Sequence, residues 1–353
     1  FVYRRDLRSS AAWREGVAAF WVMALGAALS LIWQTYHLPS EWTLFFLLWA
    51  LLSLPVVYLM DSLVAMALYL VVASVWSLSA VDVFHGSETV NFYWVLLGAA
   101  VPMAVMRRRA DADSAGSAFV FWLLAMSLCV GTGVSLAALS HGSDDLIALI
   151  IALVATSAVA VSRLAFHQLT QPWKDPFGLF GGLTIFILAL VLSFESPWGS
   201  NLEGEIGSWL FTGVAAVIWL GLSWLVLQGG RMGPVGILLL AFPVVLLADL
   251  AFSMVSFRGD IAVFLYNLYL LALGVLLIWD GARRASLSLA NAGLLVVAVH
   301  LLVRLFDSDI PFTLKGILFI LVGVGFLGAN FAIVKKRRQT RSDVPEPPTT
   351  TSS

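Results

Sequence analysis

Two ionisable residues stand inside long runs of hydrocarbon side chains, and they are where this sequence could first do chemistry. Asp249 lies in VVLLADLAFSM and His300 in VVAVHLLVRLFDSD. A charge in hydrocarbon costs several kcal/mol, so such groups are paired, line a cavity, or work. Counted along helices, Asp249 is about six residues, or about 9 Å, from the outer end of its segment, and His300 about five. Arg304 follows His300 at i+4 on the same helical face, and Asp307 follows Arg304 at i+3. Asp309 and Lys315 lie just beyond. The expectation is an outer-leaflet cluster of Asp249, His300, Arg304, Asp307, Asp309 and Lys315. It would bind an anion through Arg304 or relay protons through Asp249 and His300. The plainer reading is that Arg304 and Lys315 snorkel to the interface, the loop acids answer them, and His300 bonds a neighbouring helix.

A second pattern pairs histidine with carboxylate in the outer loops: His37 with Glu41, His85 with Glu88, and His141 with Asp144 and Asp145. Imidazole and carboxylate are both zinc ligands, which makes His37, His85 and His141 the candidate metal ligands. Their spacing is unspecific and no HExxH occurs, so the expectation is three solvated loop histidines and no metal. There is no GxxxxGK[ST], no GxGxxG opening a helix and no GxSxG elbow. A serine without a placed base is not a nucleophile. No cofactor is expected.

The elements that must position these residues are membrane helices. Of 353 residues, 60% are hydrophobic and 12% charged, with mean hydropathy +0.94. Soluble domains run near 45–50% apolar and about 25% charged, so this chain cannot build a water-solvated surface. A net charge of −1 excludes the basic face of a nucleic-acid binder. The single cysteine, Cys129, excludes an intrachain disulfide. Apolar runs of helix-spanning length without period-2 alternation predict twelve spans: 16–33, 43–60, 63–80, 92–106, 118–139, 146–166, 178–195, 208–227, 234–255, 261–279, 287–305 and 312–333. Pro55, Pro102 and Pro243 inside spans predict kinks, with 92–106 tilted or locally broken. The runs GLFGG (178–182) and GVGFLGAN (323–330) predict close helix packing.

Charge distribution tests the spans, because Lys and Arg of short loops stay cytoplasmic. With twelve spans and a cytoplasmic N-terminus, only Arg258, Arg304 and Lys315 of the 20 basic residues fall outside. Merging 43–80 into one span would put Arg4 and Arg5 opposite Arg107, Arg108 and Arg109. The chain is therefore expected to reverse at Asp61–Ser62. Trp13, Trp42, Trp94, Trp173, Trp198 and Trp279 fall at span ends, where the indole prefers the headgroup region.

Two stretches, LIWQTYHLPSEWTLFFLLWALLSLPVVYL (31–59) and the long segment from Asn267 to Asn330, resemble a bacterial family of predicted membrane proteins, domain of unknown function 2157. The motif-like parts are Gln34, Tyr36 and His37, and then Arg304, Phe306, Asp307, Lys315 and Gly316. Members often carry Gly-Asp after the Tyr-His segment, where Pro39, Ser40 and Glu41 stand here. They usually have one or two more helices before this point, so the start at Phe1 suggests preceding sequence. The resemblance implies a bacterial inner-membrane protein and supplies no activity. It adds Gln34, Tyr36 and His37 as secondary site candidates.

The resulting expectation is an all-α polytopic bundle of about twelve spanning helices with short loops. One membrane domain covers 1–334, followed over 335–353 by a disordered cytoplasmic tail, basic and then Pro/Thr/Ser-rich. Both ends would be cytoplasmic in a bacterial inner membrane. The leading function is a non-enzymatic transporter or small-ligand-binding protein with an outer-leaflet polar site. The alternatives are a structural or regulatory component acting through protein partners, and an intramembrane enzyme of lipid or cell-wall chemistry. The partners are the bilayer, an unidentified small ligand, and a membrane protein or second copy; no nucleic acid is expected.

Overall fold

A backbone in hydrocarbon must satisfy its own polar groups, and segments apolar on every side do so as helices. The computed structural model describes residues 11–37, 42–84, 92–110, 114–139, 144–166, 172–194, 206–230, 232–254, 260–284 and 286–307, with seven further residues between 316 and 328. Among the described residues there is no strand. The helices are α1 (Ala11–Thr35), α2 (Trp42–Met60), α3 (Leu63–Phe84), α4 (Phe92–Ala110), α5 (Ala115–Leu139) and α6 (Asp144–Ala165). They continue as α7 (Pro176–Leu192), α8 (Ile206–Gln228), α9 (Pro234–Leu240), α10 (Phe242–Met254), α11 (Asp260–Arg283) and α12 (Leu287–Asp307). Among the described residues eight are long and apolar enough to cross a membrane, and α9 with α10 makes a ninth if that bent pair is one span. Of the other predicted spans, 92–106 is an unbroken helix ending on Arg107, Arg108 and Arg109. The 178–195 span corresponds to the 17-residue α7. The twelfth span falls largely outside the described residues, as does the tail.

The helices divide into two compact units, Phe1–Gly182 with Gly199–Gly229, and Leu183–Trp198 with Gly230–Ser353. In the first unit α6 is the most enclosed of the membrane-length helices, and α3 buries Met66, Tyr69, Ala73 and Trp76. The reversal at Asp61–Ser62 is present. Asp61 adopts a left-handed conformation at φ +45°, and Ser62 caps α3 by accepting from the Ala65 N–H at 3.1 Å.

A second cap on α3 comes from another helix. Glu15 on α1 accepts from the Leu63 N–H at 3.1 Å, the Val64 N–H at 2.9 Å and the Ser62 hydroxyl. A carboxylate there answers the unpaired N–H groups and the positive end of the helix dipole. Arg107, at the end of α4, donates through Nε to Asp61 Oδ1 at 3.0 Å and through Nη2 to the Asp61 carbonyl. It also stands 4.0 Å from Glu15. The other anchor of α1 is Gly26, where an added Cβ would lie 2.5 Å from the Trp49 ring. The Trp49 indole donates to the Val22 carbonyl at 2.8 Å.

The same end of this unit holds the Arg108 guanidinium, 4.1 Å from the Phe166 ring centroid and donating to the Ala165 carbonyl at the end of α6. Asp175 caps α7 by accepting from Gly178 N–H at 2.9 Å and from the Ser162 hydroxyl at 2.5 Å. Pro176 follows at the first helical position, where its missing N–H costs nothing. Close packing at GLFGG is real at Gly181, whose added Cβ would lie 2.6 Å from the Ala155 carbonyl.

In the second unit the predicted kink at Pro243 is a break. α9 and α10 meet at Ala241 with a bend of 46°. Pro55 and Pro102, by contrast, sit within continuous helices. α11 and α12 pack tightly because Gly293 faces α11: a Cβ on it would lie 2.7 Å from the Ile278 nitrogen and 2.8 Å from the Gly274 carbonyl.

Candidate functional site

The second unit holds the ionisable residues that stand out in the sequence. Asp249 on α10 is 1% exposed and accepts a hydrogen bond from the Tyr266 hydroxyl of α11 at 2.9 Å. Tyr266 is itself fully buried. The Tyr266 phenol offsets part of the desolvation that such a placement costs. His300 on α12 is 6% exposed, and its Nδ1 makes no hydrogen bond among the described residues.

Arg304, one turn beyond His300, donates through Nε to Asn267 Oδ1 of α11 at 2.9 Å and through Nη2 to the Ser193 carbonyl just past α7. Its guanidinium lies 4.7 Å from the centroid of the Phe194 ring. Asn267 donates its own amide to the Val263 carbonyl at 2.6 Å, which turns its oxygen toward the arginine.

Tyr266 and Asn267 are consecutive, about 100° apart around the helix axis. One serves α10 and the other α12. α11 is thus a polar bridge, receiving the acid of one neighbour and the base of the other within one turn. Arg304 thus bonds to Asn267 and Ser193, and Asp249 accepts from Tyr266. These intermediaries are absent from the sequence reading. The signal that could have found Tyr266 and Asn267 is the Tyr-Asn pair inside AVFLYNLYLL, the only amide in that apolar run. The side chain of Asp307 and all of Asp309 and Lys315 lie outside the described residues.

The other candidates are dispersed. Gln34, Tyr36 and His37 are exposed at the end of α1. His37, at φ +50°, donates its N–H to the Gln34 carbonyl at 3.4 Å, and Tyr36 donates to Ile32 at 3.0 Å. They form a left-handed helix stop. His85, His141, Glu41 and Glu88 lie outside the described residues, as do the side chains of Asp144 and Asp145. Among the described residues no three His, Cys, Asp or Glu converge to hold a metal ion.

No curated protein and no solved structure matches the chain. Its first 66 residues, which take in Glu15 and the Asp61–Ser62 turn along with the 31–59 stretch but not the later 267–330 stretch, match the family described as predicted membrane protein (DUF2157).

Proposed function

We propose that this multi-pass membrane protein is a bacterial inner-membrane transporter or binding protein for a small ligand or ion, with both ends of the chain cytoplasmic. Asp249 and His300 relay protons, and Arg304, held by Asn267 and Ser193, presents positive charge to an anion. The single observation that carries this is Asp249, an acid 1% exposed within the second arm of a broken apolar span. Buried acids of this kind are retained where they work, and interrupted helices are where transporters expose backbone to a cargo. The orientation is supported by the gathering of Arg14, Arg107 and Arg108 at one end of the first unit, through contacts to Asp61 and Ala165.

The test is proton flux into vesicles containing the purified full-length protein and an enclosed pH-sensitive dye, after an acid pulse. The protein should dissipate the imposed gradient, and Asp249→Asn should slow it at least about tenfold. Wild-type protein no faster than empty vesicles, or Asp249→Asn as fast as wild type, overturns the proposal.

A further inference from the structure

The residues on either side of Ala241 form an unusual junction. Pro243 has no N–H to give the Leu239 carbonyl. Ala241 N–H makes a bond of α9, to Ile237 at 3.0 Å, while its carbonyl accepts from Val244 at 2.9 Å and Val245 at 3.2 Å to begin α10. One small residue therefore ends one helix and starts the next. Across from this junction, α11 presents Tyr266 and Tyr269, at i and i+3 on one face. Tyr266 donates to Asp249 of α10 at 2.9 Å. Tyr269 donates to the Leu238 carbonyl of α9 at 3.2 Å. Phe242, fully buried, lies with its ring centroid 5.0 Å from that of Tyr269 and 6.5 Å from that of Tyr266. Each arm of the broken span is thus tied by one phenol to the same face of α11, with an aromatic ring wedged between the ties.

We propose that the Ala241–Phe242 junction is a hinge, and that Tyr266 and Tyr269 are positioning residues that clasp its two arms separately. The two ties differ in kind. The Tyr269 tie ends on a backbone carbonyl, while the Tyr266 tie ends on a carboxylate oxygen that a cation or hydrogen-bond donor can also claim. A ligand group taken up by Asp249 displaces the Tyr266 hydroxyl and undoes that tie of α10 while the tie of α9 stays. That last link rests on Asp249 as the binding residue; the hinge and its clasp do not.

Amide hydrogen exchange of the full-length protein in lipid nanodiscs tests this arm by arm. Tyr266→Phe should speed exchange over 244–252 about tenfold and leave 235–240 unchanged, and Tyr269→Phe should do the reverse. The Leu239 carbonyl already accepts a backbone N–H at the end of α9, so Pro243→Ala restores only the i+4 donor of a continuous helix; it should slow exchange across 239–245, a result that decides the matter should either tyrosine variant fail to fold. Equal changes in both arms, no change, or unaltered exchange across the junction in Pro243→Ala overturns the hinge. Arm-specific exchange with undiminished flux in Asp249→Asn sinks the transport reading alone. Lost flux with uniform exchange sinks the clasp alone.

Discussion

Replacing Glu15 separates two accounts of how α1 is held, by charge or by capping. In Glu15→Ala three donors lose their acceptor: the Ser62 hydroxyl, which is fully buried, the half-buried Leu63 N–H, and the Val64 N–H at an exposed residue. A buried donor left unpaired costs about 1–3 kcal/mol, and a cap donor that can reach water costs about 1 kcal/mol or less. The Arg107 guanidinium at 4.0 Å adds about 1 kcal/mol or less. The expected loss is about 3–4 kcal/mol. Glu15→Gln keeps one oxygen, which placed at Oε2 still serves Ser62 and Val64 and leaves only Leu63 facing an amide NH2. It should cost about 1 kcal/mol beyond the lost charge. Reversible unfolding in mixed micelles titrated with SDS measures both. If Glu15→Gln is as damaging as Glu15→Ala, the carboxylate acts through its charge and the capping argument fails; if both lie within about 0.5 kcal/mol of wild type, α1 is held by neither.

Gly293→Ala should destabilise by about 1–3 kcal/mol, because the new methyl meets the α11 backbone, which cannot turn aside. Gly98→Ala, with open space around its Cβ, should gain up to about 1 kcal/mol by the same unfolding measurement; equal effects would remove the close-approach argument. A reporter fused after Arg109 should be active only in the cytoplasm and one inserted in 196–206 only outside, and the opposite pattern reverses the proposed orientation.

The existence of the helices was legible in the sequence because apolar runs of this length leave few other folds. The turn at Asp61–Ser62 could be argued from basic residues far away, since a missing reversal would have put Arg107 on the wrong side. Glu15 was not legible as a cap, because its donors lie 47 to 49 residues later and any acid near a helix start looks like an ordinary interface charge. The break near Pro243 was marked by the proline, but nothing distinguished it from Pro55, whose helix continues. Asp249 and His300 stood out as exceptions to the surrounding hydrocarbon. Their neighbours stood out less, because a helix apolar on every side carries no stripe to tell which residues turn inward: the Tyr266–Asn267 pair is one local mark, and Ser193 is found only when the helices are placed.

The two-residue turn between α2 and α3 also governs how the chain enters the bilayer. Two residues reach at most about 7 Å, so the two helices cannot part sideways into lipid, and the second must descend against the first. Glu15 meanwhile waits for donors that leave the ribosome 47 residues after it. At about 5–20 residues per second, that is about 2–10 s with an unanswered carboxylate at the membrane surface. A nascent chain ending at Met60 holds α1 and α2 with no cap to close, whereas the next four residues deliver all three donors together. The cap that joins α1 to α3 can therefore form only once the start of α3 has emerged.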